Sequence, residues 1–304
     1  MSKLEKYQGV IPAFYACYDD AGQISPERTR ALARHLLEKG VKGLYVGGSS
    51  GECIYQSVAE RKVVLENVMA EVGGKMTIIA HVACNNTADS QELARHAEGL
   101  GVDAIAAIPP IYFHLPPYGI AEYWNDISAA APNTDFIIYN IPQLAGVALT
   151  PALLAEMRKN PRVIGVKNSS MPTQDIQMWK DQGGADFVVM NGPDEQFISG
   201  LAMGATGGIG GTYAVMPELF LKARELFYAG KPAEALAIQN EACRIIYQMC
   251  KAHGNLYAVM KAILAKHGAA CGGVRKPLPA LADGDMAIVD EADRMIQAAI
   301  AKFC

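Results

Sequence analysis

Residues 163–170 read Val-Ile-Gly-Val-Lys-Asn-Ser-Ser, an apolar, β-branched run that closes on a lysine. A core strand seldom ends in an ammonium without cause, because burying that charge is costly. The fold around the strand decides what the lysine is for. Similar short runs recur at residues 10–14, 43–46, 77–81, 104–108, 136–139, 187–190 and 207–209. Between them lie segments of helical period, at 26–38, 58–72, 88–100, 120–131, 151–159, 174–182 and 194–203. Ser25, Ser57, Thr87 and Thr150 stand where N-caps belong, and a proline follows Ser25 and Thr150. Strand and helix therefore alternate, and eight parallel strands with crossover helices close a (β/α)₈ barrel at this chain length. An open doubly wound sheet usually has fewer strands, and no glycine-rich dinucleotide fingerprint opens the first βα turn. Past the eighth strand only helical patterns follow, at 216–228, 232–251, 256–266 and 286–302. The expectation is a TIM barrel over residues 1–228, with a C-terminal helical appendix, 229–304, packed on it.

The rest of the composition narrows the class. The chain has 304 residues, 51% of them hydrophobic, enough for a sizeable core. A formal net charge of −4 argues against a nucleic-acid or anionic-membrane surface. There is no run of about 18 apolar residues, and the start, MSKLEKYQG, lacks the apolar core of a signal peptide. Seven scattered cysteines with no CxxC pair fit reduced thiols in a cytoplasmic protein better than disulfides or zinc. The six histidines show no metal-ligand spacing, so neither metal nor cofactor is expected. His81, at the end of the third strand, reads first as a packed, hydrogen-bonded residue.

Barrel chemistry collects at the carboxyl ends of the strands. Lys167 belongs there, with Ser49 and Ser50 after strand two, Tyr139 ending strand five, and Asp194 and Glu195 after strand seven. A lysine in that place either snorkels to solvent or attacks a carbonyl. The second role needs a neutral amine, and moving the pKa from about 10.4 to about 7 takes roughly 4–5 kcal/mol of destabilisation of the ammonium. The VIGV run supplies part of that desolvation. The segment Gly47–Glu52, GGSSGE, offers backbone N–H groups and two hydroxyls to a small carboxylate, unless it is simply a flexible turn. The Tyr139 phenol either fills space or shuttles a proton.

Taken together, GGSSGE, YNIPxLxG and GVKxS in this order resemble the pyruvate-dependent class I aldolases, the family of dihydrodipicolinate synthase and N-acetylneuraminate lyase. The likeness runs over essentially the whole chain and is greater to the lyase branch. It implies a Schiff base at Lys167, proton transfer by Tyr139, and a pyruvate carboxylate held by Ser49 and Ser50. Tyr112, in PPIYFH, matches a tyrosine lent to a neighbouring subunit's site, which implies a homotetramer. The resemblance also puts Ser169, Gly192, Asp194, Glu195 and Gly211 on the substrate side. Gln143 stands where the synthases carry an arginine, so the cation suited to aspartate semialdehyde is missing. Gly211 departs from the serine usual in the lyases. The implied activity is reversible cleavage of N-acetylneuraminate to pyruvate and N-acetylmannosamine, with small molecules as the only partners besides copies of the chain. The competing readings are a synthase, an aldolase for another 2-keto sugar acid, and a non-catalytic keto-acid-binding barrel.

Overall fold

The computed structural model describes residues 4–304; residues 1–3 of the expected barrel segment lie outside them. Eight strands form one sheet: β1 (Val10–Pro12), β2 (Gly43–Val46), β3 (Thr77–His81), β4 (Ala104–Ala107), β5 (Asp135–Asn140), β6 (Val163–Asn168), β7 (Val188–Asn191) and β8 (Gly207–Gly210). Neighbours in sequence pair in parallel from β2 through β8, and β1 pairs with β8. The bonds Lys42 N–H to the Val10 carbonyl and Phe14 N–H to the Tyr45 carbonyl, each 2.9 Å, join β1 to β2. The sheet is thus a barrel. Helices cross between successive strands, and four more, Pro217–Tyr228, Pro232–Met249, Leu256–Lys266 and Asp285–Phe303, follow β8.

Two apolar clusters separate inside from outside. Ile11, Tyr45, Ile79, Ala104, Ala106, Ile137, Val188 and Met190 fill the barrel, whereas Phe136, Ile138, Val163 and Val166 pack outward under the helices. The amino-terminal end is plugged. Tyr7, on the one-turn helix Glu5–Tyr7, is fully buried, and its hydroxyl donates to the Asp103 carbonyl (2.6 Å) and the Asp135 carboxylate (2.8 Å). The cavities that could hold a ligand open at the carboxyl end.

Most local expectations hold to within about two residues, as boundaries usually do. Ser25 and Thr150 accept first-turn N–H bonds, and Ser57 forms a full capping box with Glu60. Thr87 is the exception: Asn86 is the N-cap, its side chain accepting from Asp89 N–H at 2.8 Å. Asn competes at least as well as Thr for that position, so the cap falls one residue earlier. The expected helix 194–203 is two pieces, a 3₁₀ turn Asp194–Gln196 and a helix Phe197–Ala202.

A register shift between Phe136 and Ile137 decides where Lys167 points. Phe136 pairs with Val163, but Ile137 pairs with Gly165, so Ile164 is an extra residue, a β-bulge. Without it, strict alternation from outward-facing Val163 would send Lys167 outward as well. With it, Gly165 and Lys167 face inward beside Ile137 and Tyr139.

Candidate active site

Lys167 is 4% exposed and lies level with Tyr139 on β5 and Met190 on β7. Its Nζ sits 3.8 Å from the centroid of the Tyr139 ring and 4.3 Å from that of Tyr45. Burial lowers its pKa to about 7, against an opposing pull from the Asp194 charge. The desolvation comes from the Tyr139 ring on the adjacent β5 and the Tyr45 ring across the barrel on β2 more than from the VIGV run itself, since Val166 faces the other way. An amine near 7 is substantially neutral at physiological pH.

Around it is a cavity of about 330 Å³ lined by Ser49, Ser50, Tyr139, Ser169, Gly192, Asp194, Glu195 and Gly211, with Gln143 at the exposed rim. Every site residue expected from the sequence is therefore present, except Tyr112. That side chain is 87% exposed, at φ +82°, and does not line the cavity of its own chain. A larger cavity, about 650 Å³, opens on the other side of Ser49 and Tyr257 toward His81 and Arg61. It does not contain Lys167, so the smaller one is where carbonyl chemistry can occur. His81 has both ring nitrogens engaged, Nδ1 donating to the Gly47 carbonyl (2.9 Å) and Nε2 accepting from Ile108 N–H (3.4 Å). Burial pushes its pKa well down, so it is a neutral support for the turn.

The serines sit in the turn after β2. Gly47 there has φ +75°, a conformation that a side chain would strain. The Ser49 and Ser169 hydroxyls lie near the Tyr139 phenol and pull its pKa down, as Ser50 does for Tyr257. Burial nevertheless lifts the Tyr139 phenol to about 12, so it rests protonated. Gly192 is needed for room: a Cβ there would lie 1.9 Å from the Ser169 oxygen.

Asp194 is 6% exposed. Its Oδ2 accepts from the Thr212 N–H and hydroxyl, both at 2.6 Å, while Oδ1 has no partner among the described residues. Burial raises this carboxyl to about 7. The Asp194 side chain lines the cavity, but Oδ1 itself is enclosed beside Gly210, where even a Cβ would collide with it. Glu195 beside it is exposed.

Residues 6–294 match the dihydrodipicolinate synthetase family. The chain belongs to that family. N-acetylneuraminate lyase of Mediterraneibacter gnavus is 69% identical over 304 residues, covering 100% of this chain and 96% of the relative. That of Salmonella paratyphi B is 37% identical over 80% of this chain and 82% of its own. The wild-type sialic acid aldolase structure from Ruminococcus gnavus superimposes with a TM-score of 0.97 at 69% identity, covering 98% and 100% of the two chains.

Three features of this family member escape a reading by motif. Tyr45 lies under the amine, and only its inward position in β2 signals it. Thr212 orients Asp194. From the appendix, Tyr257 reaches Ser50, and Lys261 forms a fully buried ion pair with Glu52 (2.6 Å) while also donating to the Gly273 carbonyl (2.7 Å). Glu52, at φ +53°, accepts from Arg275 N–H as well (2.8 Å), so the serine turn is tied to the appendix. Lys261→Met leaves that carboxylate buried without its cation. We expect a loss of about 3–5 kcal/mol in denaturant unfolding; an unchanged midpoint would show that the pair contributes nothing.

Proposed function

We propose that the chain is a Schiff-base pyruvate lyase that reversibly cleaves N-acetylneuraminate to pyruvate and N-acetylmannosamine. The observation that carries this reading is one cavity holding a near-neutral lysine against a protonated phenol, with the buried Asp194 in the same lining. Lys167 adds to the C2 ketone. The Tyr139 phenol gives its proton to the departing hydroxyl, so water leaves and a protonated imine forms. The phenolate left behind, a strong base beside a cation, takes the C4 hydroxyl proton. The C3–C4 bond then breaks, its electrons flow into the imine, and the sugar aldehyde departs from an enamine. Protonation at C3 and hydrolysis release pyruvate and the free amine. Ser49 and Ser50 hold the carboxylate, and Asp194 and Glu195 accept sugar hydroxyls.

The substrate assignment rests on Asp194 lining the cavity of Lys167, where Gln143 offers no cation. A coupled pyruvate-release assay tests it: N-acetylneuraminate should turn over far faster than pyruvate condenses with aspartate semialdehyde. The reverse ranking would make the chain a synthase. Asp194→Asn keeps the acceptor for Thr212 and removes the charge at the free position. It should lower kcat/KM for N-acetylneuraminate about 10–150-fold while sparing imine formation with pyruvate. Equal loss in both would remove Asp194 from sugar recognition. A serine at 211 is no simple improvement: a Cβ there lies 3.3 Å from the Ser50 hydroxyl oxygen, so the carboxylate cradle would have to shift.

Tyr112, with the exposed rings of Phe113 and Tyr118 nearby in sequence, suits contact with a second copy. Our reading is a homotetramer in which this tyrosine completes a neighbour's site, to be checked by light scattering alongside Tyr112→Ala. The seven cysteines are all free, which accords with a cytoplasmic setting. Among the described residues, no helix is long and apolar enough to cross a membrane.

A further inference from the structure

The helix Pro232–Met249 presents an apolar face, Ala235, Ile238, Ala242, Ile245 and Ile246, with one polar side chain buried among them. Gln239 is 5% exposed, and an amide in such a place is costly unless bonded. Both ends of it are bonded. Its Nε2 donates to the Asp194 carbonyl (3.0 Å), and its Oε1 accepts from Ile198 N–H (3.1 Å). Ile198 lies in the first turn of the helix Phe197–Ala202, which has no side-chain cap of its own, so this N–H would otherwise lack a partner. Four residues on, on the same face, the Cys243 thiol donates to the Glu195 carbonyl (3.4 Å). The backbone of both acidic residues is therefore gripped from the appendix, while Thr212 on the barrel side fixes only the Asp194 carboxylate.

We infer that Gln239 is a positioning residue for the aldehyde half of the reaction, setting where Asp194 and Glu195 meet the sugar. The inference rests on the proposed lyase function. Gln239 bonds nothing on β5, β6 or the serine turn, so its influence should stop short of pyruvate. Small displacements of groups that orient a substrate are enough to change its binding markedly.

The test is steady-state condensation of pyruvate with N-acetylmannosamine by the full chain, together with borohydride trapping of pyruvate alone. Gln239→Met, similar in size and unable to bridge, should raise KM for the sugar about tenfold and leave KM for pyruvate and the trapping rate within about twofold. Cys243→Ala should move the sugar KM the same way, by about threefold. Gln248→Met, on the same helix, should move neither. Parallel changes in both KM values, or a sugar KM unmoved in Gln239→Met, would overturn the inference by making the residue merely structural. Should Gln239→Met fail to fold, Cys243→Ala decides, and an unchanged sugar KM there overturns it. If wild type condenses pyruvate only with another aldehyde, the sugar assignment fails by itself, and the same split is read with that aldehyde.

Discussion

Lys167→Met is expected to end turnover, with a fall in kcat of more than about 10³-fold, because among the described residues no other amine lines the cavity to replace the nucleophile. Folding should survive, since methionine fills similar space and relieves the burial of an amine. Wild type treated with pyruvate and borohydride should gain one pyruvyl group, on the peptide containing Lys167, and the variant none. The pH profile gives a second check. The neutral amine is the reactive form and its pKa is about 7, so trapping should rise through pH 7 and level off soon after. A rise continuing toward pH 10 would mean an ordinary lysine. The Asp194 carboxylate pulls that pKa upward, so Asp194→Asn should move the midpoint lower. An adduct elsewhere, or residual turnover near the wild-type rate, would end the Schiff-base mechanism at this residue.

What the sequence tells of such a site, and what it hides, follows from where each residue acts. The barrel is legible because strand and helix periods alternate eight times, and Lys167, Ser49, Ser50 and Tyr139 are legible because they end strands or follow them. The inward aim of Lys167 is not. Reading Val163 as an outward residue and counting by twos puts the lysine on the wrong face, and the bulge at Ile164 that corrects it has no signature in composition. The appendix contributions are hidden for another reason. Lys261 and Gln239 meet Glu52 and Asp194 across 209 and 45 residues, and each looks like ordinary polar spacing on its own helix. Asp194 is partly legible: its position suggests a helix-start carboxylate, and the structure does give it backbone work through Thr212. Its unpartnered Oδ1 is a fact of packing alone.

Tyr139→Phe carries the second large effect. The ring that packs against Lys167, Tyr45 and His81 remains, so the fold and the environment of the amine should change little. Only the hydroxyl is lost, and with it the influence of the Ser49 and Ser169 hydroxyls on the phenol. If the phenol supplies the proton for dehydration and the phenolate then takes the C4 proton, both steps slow, and kcat should drop about 10²–10⁴-fold. Imine formation with pyruvate and cleavage of the sugar acid should both suffer, which separates this variant from Asp194→Asn, where only the second does. The Ser49 hydroxyl, near Tyr139 on the carboxylate side, is the natural stand-in. Ser49→Ala should therefore cost more than about tenfold beyond its effect in wild type when added to Tyr139→Phe only if the serine has taken over the proton. A near-normal rate in Tyr139→Phe alone would reduce the tyrosine to a wall of the cavity and place the proton transfer on another group.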